Sequence, residues 1–401
     1  MADRLLSSLA WQWLATLFVG AVSFGLVVWL ARVMGPATFG QYSYVLTIAA
    51  LLLILQDGGF KTLLLRENAA ASPMLSNWAS NLFSLAVGHL ITVSAALLLL
   101  VYWVPAPEPW ALLMALLVYG LIALGQMFSA ELKGKGFFVK EALWQAFQRA
   151  LSAVAIVIVI LWAEPTITGV LLAWGVGLGV AFLLFPGISW PRPQFALHPE
   201  IYRAALAFLV IDVATTIYFR IDVVMLSVLQ DDDQVVGEYS AVYRMLEAVI
   251  LVAAPLATIF FRYLRLGWSD VSASRRRIFD ALLLMLGVAL VLVGLTWFFA
   301  ETLVRVVFGE SYASAGTLLF WVMTALIFSL PNYVLTQGAI ALNKEVFYAG
   351  VASAAAIVNV LLNFWLIPNH GAIGAAWATL ATEGVLIVFL MLGMRKWLAE
   401  E

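Results

Sequence analysis

The 401-residue sequence is 64% hydrophobic but only 11% charged, and its formal net charge is −2. Because a soluble domain carries roughly 25% charged residues, this composition excludes a water-soluble fold. The sequence has no cysteine, which excludes disulfides, a thiol nucleophile and a cysteine-bound metal. The nearly balanced charge gives no reason to expect a nucleic-acid partner.

Long apolar runs follow one another along the chain, and their length of about 20 residues favours membrane helices over the shorter strands of a barrel. In the first half they cover residues 9–30, 42–55, 78–104, 110–130, 142–162 and 168–185. In the second half they cover residues 204–229, 239–261, 278–300, 316–339, 346–367 and 371–394. The fold class that these runs predict is an all-α integral membrane protein of about 12 transmembrane helices.

The distribution of basic residues supports this count, because Lys and Arg concentrate in cytoplasmic loops. Of the 21 Lys and Arg residues, 17 lie at the ends and in the alternate loops that share one side, and only two, Arg32 and Arg305, lie on the other side. The remaining two, Arg220 and Arg244, lie within predicted spans. This bias predicts a multi-pass protein with both termini in the cytoplasm.

A short repeat divides the chain into two halves of six spans. Residues 39–43, Phe-Gly-Gln-Tyr-Ser, resemble residues 236–240, Val-Gly-Glu-Tyr-Ser, and the two segments follow the first and the seventh span. We therefore predict an amino-terminal lobe of residues 1–190 and a carboxy-terminal lobe of residues 191–401. Parallel six-span repeats are typical of secondary transporters, whose substrates bind between the halves.

Charged residues inside predicted spans are candidates for function, since a charge at mid-bilayer costs at least about 2.5–3.5 kcal/mol. Arg220 and Asp222 lie in the seventh span near Asp212, and Arg244 and Glu247 lie three residues apart in the eighth, where they can pair. One interpretation is a salt-bridge cluster that only fixes helix register. The other is a hydrophilic cavity in which the arginines hold an anionic headgroup through bidentate contacts. In that cavity the carboxylates of Asp212, Asp222 and Glu247 would serve in ion coupling or gating.

Further polar residues lie in other spans. Glu383 is an isolated carboxylate in the twelfth span and is a candidate carrier of a proton or cation. Asn359 and Asn363 share one face of the eleventh span, where interhelical hydrogen bonding is the alternative to a gating role. Arg149 lies near the cytoplasmic end of the fifth span, and it is either a third substrate contact or a snorkelling side chain.

Catalytic and nucleotide-binding motifs are absent from the sequence. It contains neither a phosphate-binding G-x-x-x-x-G-K-[ST] loop nor an H-E-x-x-H zinc motif. We therefore expect a transporter that is not an enzyme, with no cofactor and no metal. The alternatives are a multidrug or small-amphiphile efflux carrier and, from another class, a membrane-embedded polysaccharide polymerase or ligase.

Several segments together resemble the polysaccharide biosynthesis family of O-antigen and exopolysaccharide flippases, within the multidrug, oligosaccharidyl-lipid and polysaccharide exporter superfamily. The resemblance is carried by residues 31–43, 57–59, 220–222, 236–241, 244–247, 308–312, 359–363, 367–368, 371, 374–376, 378–379 and 383. It implies a V-shaped protein with a central cavity, located in the bacterial plasma (inner) membrane.

The function implied by this resemblance is a flippase. It would move an undecaprenyl-diphosphate-linked oligosaccharide from the cytoplasmic to the outer leaflet by alternating access, coupled to a gradient of H⁺ or Na⁺. The resemblance points to Arg220 and Arg244 as headgroup contacts, and to Glu383 or Glu247 as the ion carrier. Membrane lipids, a polysaccharide polymerase and a chain-length protein are the partners that we expect beside the substrate.

Overall fold

The structure is a computed structural model that describes residues 2–69, 81–103, 108–188, 191–266, 271–342 and 344–400. All regular elements of these residues are helices. The first six helices are α1 (Ala2–Asp57), α2 (Phe60–Ala69), α3 (Leu82–Leu100), α4 (Pro109–Gly134), α5 (Phe138–Trp162) and α6 (Ile167–Leu184). The others are α7 (Pro199–Gln230), α8 (Asp233–Leu266), α9 (Val271–Phe308), α10 (Gly316–Thr324), α11 (Leu326–Ala341) and α12 (Glu345–Glu400).

Two of these helices, α1 and α12, are bent at a single glycine. Gly35 has φ 72° and ψ 170°, and Gly371 has φ 55° and ψ −136°. Glycine adopts a positive φ without the steric cost that a Cβ would bring. Pro36 follows the first bend directly, at the first helical position, where a missing N–H costs nothing. Residues 31–41 and 368–370, which the sequence analysis leaves between spans, are therefore part of helices, and each bent helix holds two spans.

The number of spans agrees with the prediction from the sequence. Within the described ranges, nine helical segments are long and apolar enough to cross a membrane. Two of these nine are the bent segments Ala10–Asp57 and Val346–Arg395, and each of them contains two spans. The remaining span is α8, a helix of 34 residues. The all-α fold of twelve spans is thus confirmed, although the start of the third predicted span, at 78–80, lies outside the described residues.

The chain forms two compact units. Unit 1 consists of Met1–Val27 and Tyr44–Thr216, and unit 2 consists of Val28–Ser43 and Ile217–Glu401. The division falls within α7, and the bent segment of α1 belongs to unit 2. The predicted lobe boundary at 190/191 refers to the sequence repeat and stays a prediction.

Unit 1 is built around α2, a helix that the sequence analysis includes in a cytoplasmic connection. Phe60, Leu63 and Leu64 of α2 are fully buried against α3, α4 and the start of α7. A second core surrounds Trp144, which packs on Phe182 of α6. These contacts fix α4 and α5, which carry the polar residues described below.

Unit 2 holds the bent segment of α1 through polar contacts at the end of α9. The guanidinium of Arg32 donates hydrogen bonds to the carbonyls of Val306 and Val307, the latter at 2.8 Å. The hydroxyl of Tyr312 donates to the carbonyl of Ala31 at 3.1 Å. These bonds use the carbonyl groups that a helix end and a bend leave without helical partners.

Candidate functional site

Three charged side chains meet between α7 and α8 in unit 2. A guanidinium nitrogen of Arg244 lies 2.6 Å from Glu247 Oε2, and Arg220 Nη2 lies 3.3 Å from Glu247 Oε1. The pairing of Arg244 with Glu247 is the one that their spacing predicts. Two guanidiniums therefore share one carboxylate, and between a quarter and a third of each side chain is accessible. Both guanidiniums are therefore accessible enough for an anion to approach them.

Asp222 lies on the same helix as Arg220 but has different neighbours. It is 3% exposed and accepts hydrogen bonds from the hydroxyl of the fully buried Tyr239 and from the N–H of Val223. Because Tyr239 is on α8, these bonds tie α7 to α8. The geometry supports a structural role for Asp222 more directly than the gating role that the sequence suggested.

Glu383 of α12 lies in a buried polar site with α7 and α11. Its Oε1 accepts a hydrogen bond of 2.6 Å from the hydroxyl of Tyr218, and its Oε2 accepts one of 2.6 Å from Asn332 Nδ2. Glu383 is 7% exposed, and no Lys or Arg of the described chain lies within ion-pair distance of it. A buried carboxylate with neutral donors only is chemically suited to bind a proton or a small cation.

The two asparagines of α12 connect the two arms of that helix. Asn363 Nδ2 donates to Asn359 Oδ1 at 2.9 Å, and Asn359 Nδ2 donates to the hydroxyl of Thr382 at 3.4 Å. Asn359 and Thr382 lie on opposite sides of the Gly371 bend. The structure therefore supports the interhelical hydrogen bonding that was the alternative to a gating role.

Arg149 and Asp212 lie in unit 1, so neither belongs to the trio of unit 2. Arg149 lines a cavity of about 440 Å³, where its guanidinium lies 5.6 Å from the centre of the Trp174 ring. Asp212 forms a long ion pair of 3.7 Å with Lys61, which lines the same cavity.

Cations and amides dominate the polar lining of this unit 1 cavity. The polar residues are Lys61, Thr62, Gln126, Ser129, Lys133, Gln145, Gln148, Arg149 and Ser152. The carboxylates that pair with them are Asp212, and Glu141, which is fully buried and 3.1 Å from Lys133. The polar lining thus consists of three cations, three amides and three hydroxyls, which suits an anionic ligand bearing hydroxyl groups.

Sequence reasoning missed Lys61 and Lys133 as site residues, because it used them only as indicators of the cytoplasmic side. A signal was present on α5, where Gln145, Gln148, Arg149 and Ser152 follow the spacing of one helical face. Lys61 gives no comparable signal, since its approach to the cavity depends on how α2 packs.

Comparison with known proteins identifies a family for this chain. The family model described as "Polysaccharide biosynthesis protein" matches residues 5–262, which is well over half of the chain. No protein with a curated description matches the chain in sequence.

Solved structures share the fold. The lipid II flippase MurJ in an inward closed conformation is 15% identical, with a TM-score of 0.74 and coverage of 96% of this chain and 87% of that one. An inward-facing multidrug resistance transporter of the MATE family is 13% identical, with a TM-score of 0.69 and coverage of 95% and 94%. A MOP superfamily transporter from Pyrococcus furiosus is 14% identical, with a TM-score of 0.65 and coverage of 98% and 95%. At these identities the likeness concerns the fold alone.

Proposed function

Because the chain belongs to the polysaccharide biosynthesis protein family, we propose that it is a flippase for a lipid-linked oligosaccharide. Its substrate is an undecaprenyl-diphosphate-linked glycan, which it moves from the cytoplasmic to the outer leaflet by alternating access. Diphosphate and sugars cannot enter hydrocarbon unaided, whereas the polyprenyl tail can remain in lipid. Such a protein needs polar sites that accept the headgroup inside the membrane.

One observation carries this proposal: partly accessible cations gather at both polar sites. In unit 2, Arg220 and Arg244 lie together beside Glu247, and between a quarter and a third of each side chain is accessible. In unit 1, Lys61, Lys133 and Arg149 line one cavity. Charges within a membrane protein are costly unless counter-charges or water compensate them, and a diphosphate is a counter-charge that guanidiniums bind bidentately.

The neutral lining of the unit 1 cavity supports a glycan in particular. Gln126, Gln145 and Gln148 each present both a carbonyl oxygen and an amino group, so they accept from and donate to sugar hydroxyls. We assign Arg149, Lys61 and Lys133 to the phosphate end of the substrate and the glutamines to its first sugars.

We assign ion coupling to Glu383, with H⁺ or Na⁺ as the transported ion. The support is its burial among neutral donors, Tyr218 and Asn332. Glu247 is less suited, because two arginines already neutralise it. Binding a cation at Glu383 would change the contacts between α7, α11 and α12, and this links ion binding to helix movement.

The cellular setting follows from the same proposal. The protein is placed in the bacterial inner membrane, with both termini on the cytoplasmic side, since 17 of its 21 basic residues lie on that side in the predicted topology. A polysaccharide polymerase and a chain-length protein then act on the exported product.

The second candidate is an efflux carrier for amphiphilic cations, and the observation that favours it is the uncompensated carboxylate of Glu383. The two candidates differ in the charge of the substrate. The partly accessible cations that gather in both units favour an anion.

The test uses the purified full-length chain in liposomes and a fluorescent undecaprenyl-diphosphate glycan. Transfer between leaflets is followed by quenching from outside. The proposal expects transfer by the native chain and at least ten-fold slower transfer by Arg149→Gln, because a charge-assisted hydrogen bond contributes about 1.5–3 kcal/mol. The control is Arg305→Gln, whose partners Glu301 and Glu310 are exposed. Transport of an amphiphilic cation without glycan transfer would establish efflux instead.

A further inference from the structure

A groove of about 930 Å³ lies in unit 2, apart from the polar sites described above. It is formed by the beginning of α9, by α11 and by the end of α12. Its apolar lining consists of Ile278, Phe279, Leu282, Leu335, Val388, Met391, Leu392 and Met394. Its charged lining consists of Arg275, Arg276 and Arg395.

The apolar part of the groove has a fixed floor and accessible walls. Ile278, Leu335 and Met394 form the floor and are 4%, 1% and 4% exposed, while the wall residues Phe279 and Leu392 are 58% and 57% exposed. At a rise of about 1.5 Å per residue, the α12 wall from residue 388 to residue 395 is about 10 Å long. A hydrocarbon chain fits such a channel, whereas a polar solute would lose its hydration there.

The arginines line the groove from two helices that are far apart in sequence. Arg275 and Arg276 lie near the start of α9, and Arg395 lies near the end of α12. All three are exposed. Arg276 has a carboxylate neighbour, Asp280, at 4.0 Å, but both side chains are largely accessible, so this pair contributes little. The general preference of Lys and Arg for one side of a membrane does not require them to border a single groove.

We propose that this groove binds one anionic phospholipid, with the headgroup phosphate on the three arginines and an acyl chain along the apolar floor. Charge complementarity selects the anionic headgroup, and the apolar lining selects a lipid over a free anion. This site is independent of the proposed transport function, because it shares no residue with the unit 1 cavity, the Glu247 trio or the Glu383 site.

The experiment measures lipid binding to the purified full-length chain by native mass spectrometry and by thermal shift. The probes are phosphatidylglycerol, phosphatidylcholine and glycerophosphoglycerol, the headgroup without acyl chains. We expect one tightly retained phosphatidylglycerol and a rise in Tm with that lipid only. Each arginine near an anionic phosphate strengthens binding about five-fold, so Arg275→Gln, Arg276→Gln and Arg395→Gln together should weaken it roughly a hundred-fold.

Two further variants separate the site from general effects. Leu392→Trp keeps every charge but fills the accessible wall, and it should also release the lipid. Arg305→Gln removes an arginine at the opposite end of α9 and should retain it. If the triple variant does not fold, Arg395→Gln and Leu392→Trp decide the outcome. Equal binding of phosphatidylcholine, an equal effect of glycerophosphoglycerol, or unchanged retention in Leu392→Trp would each overturn the proposal.

Discussion

Gly40 and Gly237 pack reciprocally against each other's helices in unit 2. A Cβ on Gly40 would overlap the carbonyl of Asp233 and lie 2.8 Å from the N of Gly237; a Cβ on Gly237 would overlap the carbonyl of Pro36 and lie 3.0 Å from the N of Gly40. Gly40 thus packs against the residue four positions before Gly237, and Gly237 packs against the residue four positions before Gly40. The two copies of the sequence repeat therefore cross symmetrically, which supports the homology of the halves inferred from residues 39–43 and 236–240.

Gly40→Ala or Gly237→Ala should destabilise the protein, because the added methyl group would overlap backbone atoms, which cannot relieve the overlap by changing rotamer. We expect a loss of about 1–3 kcal/mol, the usual cost of overpacking, measured as a lower Tm of the purified chain. Gly287→Ala and Gly294→Ala are matched controls, since a Cβ there meets nothing within 4 Å. These two should gain up to about 1 kcal/mol of helix propensity. Equal Tm values for both pairs would contradict the close crossing.

Arg220→Gln and Arg244→Gln should each reduce glycan transfer while leaving an inserted, folded protein. Either change leaves one guanidinium paired with Glu247. Loss of a charge-assisted contact with a diphosphate predicts at least a ten-fold slower rate, read in the liposome assay.

Glu247→Gln provides the contrast to these arginine variants, because it leaves two guanidiniums without their carboxylate. We expect it to lower Tm more than either arginine variant does, since it removes the one carboxylate that both half-buried guanidiniums share. If both arginine variants transfer glycan at the wild-type rate, the trio does not contact the substrate and is a purely structural salt bridge.

Glu383→Gln should uncouple transport from the ion gradient. The glutamine keeps a carbonyl oxygen for the Tyr218 hydroxyl but cannot ionise, so the fold should persist while cation binding is lost. The measurement is the acceleration of glycan transfer by an imposed H⁺ or Na⁺ gradient, which should disappear. Tyr218→Phe removes one donor and keeps the carboxylate, so it should retain a gradient response. An undiminished response in Glu383→Gln would exclude this residue as the ion carrier.

The features that could be predicted from the sequence are those that depend on the residues of a single segment. Hydropathy and charge bias predict the twelve spans, because lipid imposes both on each segment separately. The pairing of Arg244 with Glu247 is likewise local, since three residues within a helix fix the distance.

The features that the sequence did not predict depend on packing between distant segments. The bends at Gly35 and Gly371 replace loops because the helix continues on both sides of a single glycine. Lys61 reaches the unit 1 cavity only because Phe60, Leu63 and Leu64 bury one face of α2. Such positions are indistinguishable in sequence from other basic residues of a cytoplasmic connection.

A chemical cross-link across the reciprocal crossing should stop transport, because the predicted boundary at 190/191 places these segments in different lobes, and the proposed alternating access moves the lobes against each other. Gln41 Nε2 donates a 2.7 Å hydrogen bond to Asp233 Oδ2 beside the two glycines. The chain has no native cysteine. In the double variant Gln41→Cys with Asp233→Cys, a short bifunctional thiol reagent can therefore link only the two introduced thiols. We expect glycan transfer to fall at least ten-fold and to recover when a reducible linker is cleaved.

A linked Glu301→Cys and Arg305→Cys pair, one turn apart on α9, should transport normally. Full transport by the linked 41–233 protein would mean that this crossing stays closed throughout the cycle and that any opening occurs elsewhere.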